Sequence, residues 1–413
     1  MRPFTVLIDS AHDRCTLNLV SSSMMYRYLL ENGHRITQQV SDADFIIINT
    51  CGFHTISREI SVALYNKYQA EKQPNAKIIL YGCLIKIEPE RVKSLDAQLV
   101  DFTDGKILDN FFFKTKRFDE MTSYCDSTTR NILCNTSGHL DFSSHQNFFL
   151  SRLMFPFSKI MKMNYDRFIQ GLDHQNKMVV EVSRGCVGNC HYCVIKKAKG
   201  ALKSRPIDAI LSDIRRMYDP SKTLYLVGDD CSCYGMDIHT TIFELIHRIQ
   251  DEFPHLAIQI NYISPNILVK FEQHYIDLVK TSQIGYVTIP LQSGSMKIVH
   301  AMNRFYDPHE VIAIIHKIKR LSPTTLIEGH FIVGYPGETT IDFIKSLLAS
   351  FHFDYPIPLL YSDNIGVKSS TLPHKKSAAT KYLRVFLMFM VTNCIVFYRL
   401  LTTPSGNHDK HSS

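Results

Sequence analysis

Three cysteines stand at C-x3-C-x2-C spacing in Glu181-Val-Ser-Arg-Gly-Cys186-Val-Gly-Asn-Cys190-His-Tyr-Cys193. Soft thiolates gathered on one short loop suit iron, so the spacing points to a single iron–sulfur cluster. A cubane holds four irons, and three cysteines leave one iron open to a small ligand. That is the logic of a catalytic centre, not of a closed structural one. Structural zinc is an alternative, but it needs a fourth ligand, and His191 inside the loop is poorly placed to supply it. A redox C-x2-C pair is a third reading.

A second set of cysteines is spread over the first hundred residues. The apolar runs Thr5–Ile8, Phe45–Asn49 and Ile78–Tyr81 alternate with helical segments, which argues a small α/β domain with a parallel sheet over residues 1–100. Each run leads to one cysteine: Cys15, Cys51 in Asn49-Thr-Cys-Gly-Phe53, and Cys83 in Tyr81-Gly-Cys-Leu84. The carboxyl ends of parallel strands share one edge, where ligands bind. Taken singly, each thiol reads as a buried apolar side chain. Three at matching strand ends point to a second three-thiolate site.

These cysteines need elements to position them. From about 176 the chain alternates strand and helix. Expected strands are Met178–Ser183, Leu224–Gly228, Ile258–Ile263, Tyr286–Leu291 and Ile327–Val333, with helices at Ile207–Tyr218, Ile242–Glu252 and His309–Leu321. Repeated β-α units argue a partial or full (β/α) barrel over 176–360, with functional groups at the strands' carboxyl ends. The polar motifs fall there: Leu226–Asp237, Asn261–Pro265, Pro290–Ser295 and Gly334–Thr339.

The three-cysteine loop, with aromatic Tyr192 before its last cysteine, resembles radical S-adenosylmethionine (SAM) enzymes. The two cysteine sets together, with Cys15-Thr-Leu-Asn-Leu-Val-Ser-Ser, Asn49-Thr-Cys-Gly-Phe and Gly82-Cys-Leu, resemble the radical SAM methylthiotransferases. Asp230-x-x-x-Tyr234-Gly-x-Asp237 is similar to the RimO type, which modifies an aspartate of a ribosomal protein. Gln292-Ser-Gly-Ser295 and Met302-Asn-Arg304 are similar to the MiaB type, which modifies tRNA.

The resemblance implies two 4Fe-4S clusters, one on Cys186, Cys190 and Cys193 and an auxiliary one on Cys15, Cys51 and Cys83, with SAM as the other cofactor. It implies reductive cleavage of SAM to a 5′-deoxyadenosyl radical, hydrogen removal from an unactivated carbon, and transfer of a methylated sulfur to that carbon. Tyr192, Gly228, Asp229, Asp230, Ser264 and Gln292 are the implied SAM-side residues. Implied partners are a protein substrate first, then tRNA, then a peptide, and an electron donor such as flavodoxin or ferredoxin. The competing expectation is a non-enzymatic iron–sulfur module that has kept the clusters and lost turnover.

The remaining stretches carry less. At 413 residues the chain is long enough for two or three domains. A net charge of +7 is compatible with an RNA or ribosome partner without requiring one. Eleven cysteines and an amino terminus without a long apolar core suggest a reducing, cytoplasmic setting with thiols as metal ligands. Residues 101–175 read as a linker or insertion of unknown role. Cys125 and Cys134 within it are expected to be packing or surface thiols, and Cys231 and Cys233 are expected not to be ligands. The basic run Lys196–Arg205 reads as a phosphate- or substrate-facing stretch or a solvated loop. Glu338 reads as a helix-start charge. Residues 361–401 read as a helical segment packed on the barrel, with no membrane contact expected, and 402–413 as a disordered tail. No strand-rich TRAM-like segment follows the barrel, although the resembled family has one there.

Overall fold

A computed structural model describes residues 2–11, 15–125, 129, 177–281 and 283–402. Most of the stretch read as a linker, including Cys134, and the tail from 403 on lie outside the described residues.

The first sheet has five parallel strands: β1 (Thr5–Ser10), β2 (Arg35–Ile36), β3 (Phe45–Thr50), β4 (Lys77–Gly82) and β5 (Gln98–Asp101), in the order β2-β1-β3-β4-β5. β3 is buried along its whole length, as a central parallel strand must be. The helices Thr16–Glu31 and Thr55–Glu71 follow β1 and β3.

After β5 the chain does not leave this unit at once. Phe102, Leu108, Phe112 and Phe118 are buried against helix Thr16–Glu31 in the same core. β6 (Tyr124–Cys125) then pairs antiparallel with β7 (Lys177–Glu181), and Cys125 is buried there.

β7 opens the second sheet. A two-residue ribbon, β8 (Ser183–Arg184) with β9 (Lys203–Ser204), brackets the cysteine loop. Then come β10 (Thr223–Val227), β11 (Ile258–Ile260), β12 (Ile284–Gln292), β13 (Leu326–Val333) and β14 (Tyr355–Leu360). The order is β14-β13-β12-β11-β10-β7-β6, parallel except at β6. This is a partial barrel in an α/β fold. Its helices Ile207–Met217, Ile242–Glu252 and Pro308–Leu321 match the apolar periodicity read from the sequence within a residue or so at each end.

Alternate strand residues divide two cores. Ile258, Ile260, Val287, Ile289, Ile327 and Phe331 pack outward against the helices. Val179, Tyr225, Val227 and Tyr286 face the lumen and join the core of the first unit. The two halves therefore share buried surface. Lys197 Nζ also donates to the carbonyl of Ile87 (3.0 Å), and Arg58 bonds Asn364.

The carboxyl-terminal helix runs Ala378–Thr402 and packs on the barrel edge. Met388 is fully buried, and Thr392 Oγ1 donates to the carbonyl of Pro356 at 2.9 Å. Among the described residues no helix is long and apolar enough to cross a membrane. Glu338 is not a surface helix-start charge. It is fully buried, accepts from the Gly334 N–H (3.0 Å) and pairs with Arg384 Nη1 (2.5 Å), which ties this helix to the Gly334–Thr339 turn.

Candidate functional site

Cys15 sits at the start of helix Thr16–Glu31, Cys51 just past β3 and Cys83 just past β4. Asn49 fixes this geometry. Its Nδ2 donates to the Asn18 carbonyl (3.0 Å), Ser21 Oγ (3.0 Å) and Ser22 Oγ (2.9 Å), so the strand carrying Cys51 is pinned to the helix carrying Cys15. Gly82, at φ +118°, lets β4 close on β3. A Cβ there would lie 2.6 Å from the Thr50 carbonyl oxygen. Ser61 Oγ accepts from the Cys51 N–H at 3.0 Å. Burial pushes the Cys51 thiol up to about 11, and the nearby Cys15 pushes the same way. Burial takes Cys83 to about 12 against the opposing pull of Lys199, with Cys51 and Cys15 adding to the rise. The three thiols are thus within electrostatic reach of one another.

The second set lies on the loop between β8 and helix Ile195–Lys199. Each of its sulfurs accepts one N–H: Cys186 from Gly188 (3.2 Å), Cys193 from Ile195 (3.4 Å) and Cys190 from Arg304 Nε (3.4 Å). Gly188 forms the floor of a cradle. A Cβ there would stand 3.2 Å from Cys186 Sγ and 3.8 Å from Cys190 Sγ. The Met302-Asn-Arg304 segment holds the loop from outside. The Met302 carbonyl accepts from the His191 N–H (3.0 Å), and Asn303 Nδ2 donates to the Asn189 carbonyl (2.8 Å). His191 Nδ1 meets the Ala301 carbonyl at 3.0 Å, so this imidazole is turned away from the cysteines. Tyr192 is buried, and its carbonyl accepts from Asn364 Nδ2 at 3.1 Å.

Both sets fit a cluster. Each supplies three cysteine sulfurs, and those of the second are already hydrogen-bonded by N–H groups, as iron-bound sulfur commonly is. Among the described residues, no three His, Cys, Asp or Glu side chains converge closely enough to share a single ion. A cubane needs a wider spread, because each thiolate takes a different iron. Burial raises Cys186 to about 11 and Cys193 to about 12, so metal must displace protons to bind.

Lys199 connects the two sets. It is buried at the end of the helix that follows the second cysteine loop, and its Nζ is 2.9 Å from Asp229 Oδ1. Its charge is felt by Cys15 and Cys83. Asp229 Oδ2 accepts from the Gly185 N–H at 2.8 Å. Both oxygens of Asp229 are therefore engaged, one by Lys199 and one at the start of the second cysteine loop. Asp230 is the carboxylate beside the second set. Its Oδ2 lies 3.3 Å from Cys233 Sγ and 3.9 Å from Cys186 Sγ, and its Oδ1 accepts from the Ser232 backbone N–H (3.1 Å) and Oγ (2.5 Å). Burial raises its pKa despite those bonds.

Gly228 packs on Ser183, where a Cβ would fall 2.9 Å from Oγ. Ser264 is buried; its N–H donates to Ser232 Oγ (3.1 Å) and its hydroxyl to Asn266 (2.6 Å). Gln292 is buried at φ +64° with Oε1 unpartnered. Cys231 is fully buried with its thiol on the Leu226 carbonyl (3.7 Å), and Cys233 is turned to Asp230.

Several of these groups carry little mark in the sequence. Lys199 was grouped with a charge run, yet only Lys196 and Lys203 of that run are largely exposed lysines without a described inward bond; Arg205 pairs with Asp213 at 2.5 Å. Arg304 stands in the sequence only as part of the Met302-Asn-Arg304 motif. A buried basic residue has no periodicity of its own, so neither partner was readable. The lumen pair Glu328 and His330 (2.7 Å) left a weak signal: two polar residues at alternate positions of an otherwise apolar strand.

Comparison with known proteins covers both halves. Residues 180–348 match the family model described as the radical SAM superfamily, and residues 14–103 match the one described as uncharacterized protein family UPF0004. The chain is 24% identical over 386 residues to a protein of Chlamydia pneumoniae named ribosomal protein uS12 methylthiotransferase RimO, covering 91% of this chain and 75% of that one. It is 25% identical over 395 residues to the tRNA-2-methylthio-N(6)-dimethylallyladenosine synthase of Methylacidiphilum infernorum (isolate V4), covering 92% and 78%. Among solved structures, the cobalamin-dependent SAM radical enzyme OxsB with aqua-cobalamin bound aligns with a TM-score of 0.49 and 11% identity, over 96% of this chain and 56% of that one.

Proposed function

Because the chain belongs to the radical SAM methylthiotransferase family, we propose that it carries two 4Fe-4S clusters and inserts a methylthio group at an unactivated C–H bond of a protein aspartate. The observation that carries this reading is the meeting of two three-cysteine sets through the buried Lys199–Asp229 pair. When bound, SAM and the cluster on the second set supply the 5′-deoxyadenosyl radical that removes the hydrogen, and the auxiliary cluster supplies the methylated sulfur.

The chain's own groups divide the work. Cys186, Cys190 and Cys193 hold the cluster that binds SAM, and Arg304 and the Gly188 and Ile195 N–H groups stabilise negative charge on those sulfurs. Cys15, Cys51 and Cys83 hold the auxiliary cluster, with Lys199 offsetting its charge. Asp230 is the acceptor for the SAM ammonium, with Gly228, Ser264, Gln292 and Tyr192 around it. Asp229 is assigned to Lys199. A ribosomal-protein substrate is favoured by the names borne by several relatives, and the aspartate follows from the resemblance to the RimO type. A flavodoxin or ferredoxin supplies the electron.

Anaerobic reconstitution tests the reading. Iron and sulfide content should correspond to two clusters, falling to one when Cys15, Cys51 and Cys83 are changed to Ala. Formation of 5′-deoxyadenosine should vanish in Cys186→Ala. Mass spectrometry of ribosomal proteins and tRNA incubated with the enzyme identifies the substrate: a methylthio gain confined to tRNA would overturn the aspartate assignment.

A further inference from the structure

Between the two cysteine sets, the barrel lumen holds a polar group that none of the roles above uses. On β13, Leu326, Glu328, His330 and Ile332 share the lumen face, while Ile327, Phe331 and Val333 face the outer core. Glu328 Oε1 lies 2.7 Å from His330 Nε2 and accepts from Thr288 Oγ1 at 3.4 Å. Both side chains keep 13% of their surface exposed, although β13 is an interior strand covered by helices on its other face. They therefore border open space in the lumen.

Two neighbours fix where that space lies. One step up the same face, Ile332 packs with Tyr192 and Tyr335, against Cys190 and Cys193. To the side, the Tyr262 ring meets the His330 ring edge-on at 5.5 Å between centroids. Tyr262 is held in the left-handed region at φ +49°, its carbonyl accepting from the Cys231 N–H at 3.0 Å. That conformation is strained for an aromatic residue. It keeps the ring within reach of the charges of Glu328, Cys15 and Asp229. His330 thus stands one layer below the second cysteine loop, against the edge of the Tyr262 ring.

We propose that His330, oriented by Glu328 and backed by Tyr262, positions the substrate by hydrogen bonding its carboxylate. This rests on the protein-aspartate reading above. With Nε2 on Glu328, Nδ1 is the nitrogen left for a ligand. The carboxylate of Glu328 fixes the ring through Nε2, and the protonated imidazole donates from Nδ1. A charge-assisted bond between imidazolium and carboxylate then selects an aspartate side chain over its amide.

The test uses the cluster-loaded enzyme and two labelled peptides that copy the modified segment of ribosomal protein uS12, one with its aspartate and one with asparagine there. Binding is read by fluorescence anisotropy, and iron content with the cluster absorption spectrum controls for folding. The native enzyme should bind the aspartate peptide about 10–100-fold more tightly, the range of one charge-assisted bond. His330→Phe should abolish that preference, Glu328→Gln should reduce it, and His330→Arg should restore part of it. If the preference survives in His330→Phe, the role of His330 is wrong while the aspartate reading stands. If the native enzyme shows no preference, the role of His330 falls while the aspartate reading stands; if the methylthio gain is confined to tRNA, both fall together.

Discussion

Lys199 Nζ lies 2.9 Å from Asp229 Oδ1, with both side chains almost completely buried between the two cysteine sets. The pair joins the helix after the second cysteine loop to the end of β10. Removing one member of such a pair strands the other charge, at a cost of about 3–5 kcal/mol. Lys199→Met should therefore lower the unfolding free energy by that order and reduce iron retained by Cys15, Cys51 and Cys83. Lys199→Met with Asp229→Asn should recover much of the loss. Denaturant titration and iron analysis read both. A single variant as stable as the native protein would contradict the assignment.

Arg304 should matter to the other cluster. Its Nε is 3.4 Å from Cys190 Sγ, and its Nη1 is 3.2 Å from the Pro290 carbonyl. Hydrogen bonds to cluster sulfur favour the reduced, more negative state. Arg304→Met should make the reduction potential more negative by on the order of 60 mV, a tenfold shift for a one-electron couple. Potentiometric titration followed by electron paramagnetic resonance measures it. An unchanged potential at full iron occupancy would remove Arg304 from this role.

Gly185 and Gly200 make a matched comparison on either side of the second cysteine loop. Both have positive φ, at +76° and +82°. A Cβ at Gly185 would lie 2.2 Å from the Ala201 carbonyl oxygen, whereas one at Gly200 would meet nothing within 4 Å. Gly200→Ala should cost about 1–3 kcal/mol from the backbone conformation alone, because φ +82° with ψ −160° is a region essentially reserved for glycine. Gly185→Ala must displace the loop, and should halve the iron content while leaving the auxiliary cluster in place. Equal effects from the two substitutions would show that the clash is relieved locally.

The helix Thr340–Ser350 gives a pH dependence. Asp342 is its capping-box carboxylate and accepts from Ser295 Oγ (2.6 Å), Thr339 Oγ1 (2.7 Å) and the Thr339 N–H (2.9 Å). Burial alone would raise its pKa, but the bonds from Ser295 and Thr339, with Lys297, outweigh burial and hold it well below its ordinary 3.8. The unfolded chain thus binds a proton at a higher pH than the folded one. The stabilisation is complete above the ordinary value and is lost as pH falls below it, toward the folded value. Asp342→Asn should cost about 1–2 kcal/mol at pH 7. The difference from the native chain should shrink below about pH 4. Urea unfolding of both cluster-free proteins at pH 7 and pH 3 checks this, and a constant difference would refute it.

Much of the scaffold was readable from local signals. β3 and β10 are apolar runs of strand length, and helix Ile242–Glu252 shows its 3.6-residue periodicity. Alternation of such elements specifies a parallel α/β arrangement, and parallel strands bring their carboxyl ends to one edge. Cysteine spacing on one short loop marked the second set, and position beyond three strand ends marked the first. The strand reading overran β11, which ends at Ile260, because Tyr262 takes a left-handed conformation that no β propensity reveals.

The sequence by itself determined the candidate chemistry: six cysteines in two groups of three, one group beyond strand ends and one on a short loop. Only the tertiary structure decided which charges accompany them. Lys199 looked like one lysine in a basic run until burial paired it with Asp229, 30 residues away. Arg304 reaches Cys190 from 114 residues away, and Tyr262 meets His330 across the lumen. Electrostatic partnership depends on distance through space and on exclusion of water. Neither quantity is encoded in the order of residues until the barrel closes around them.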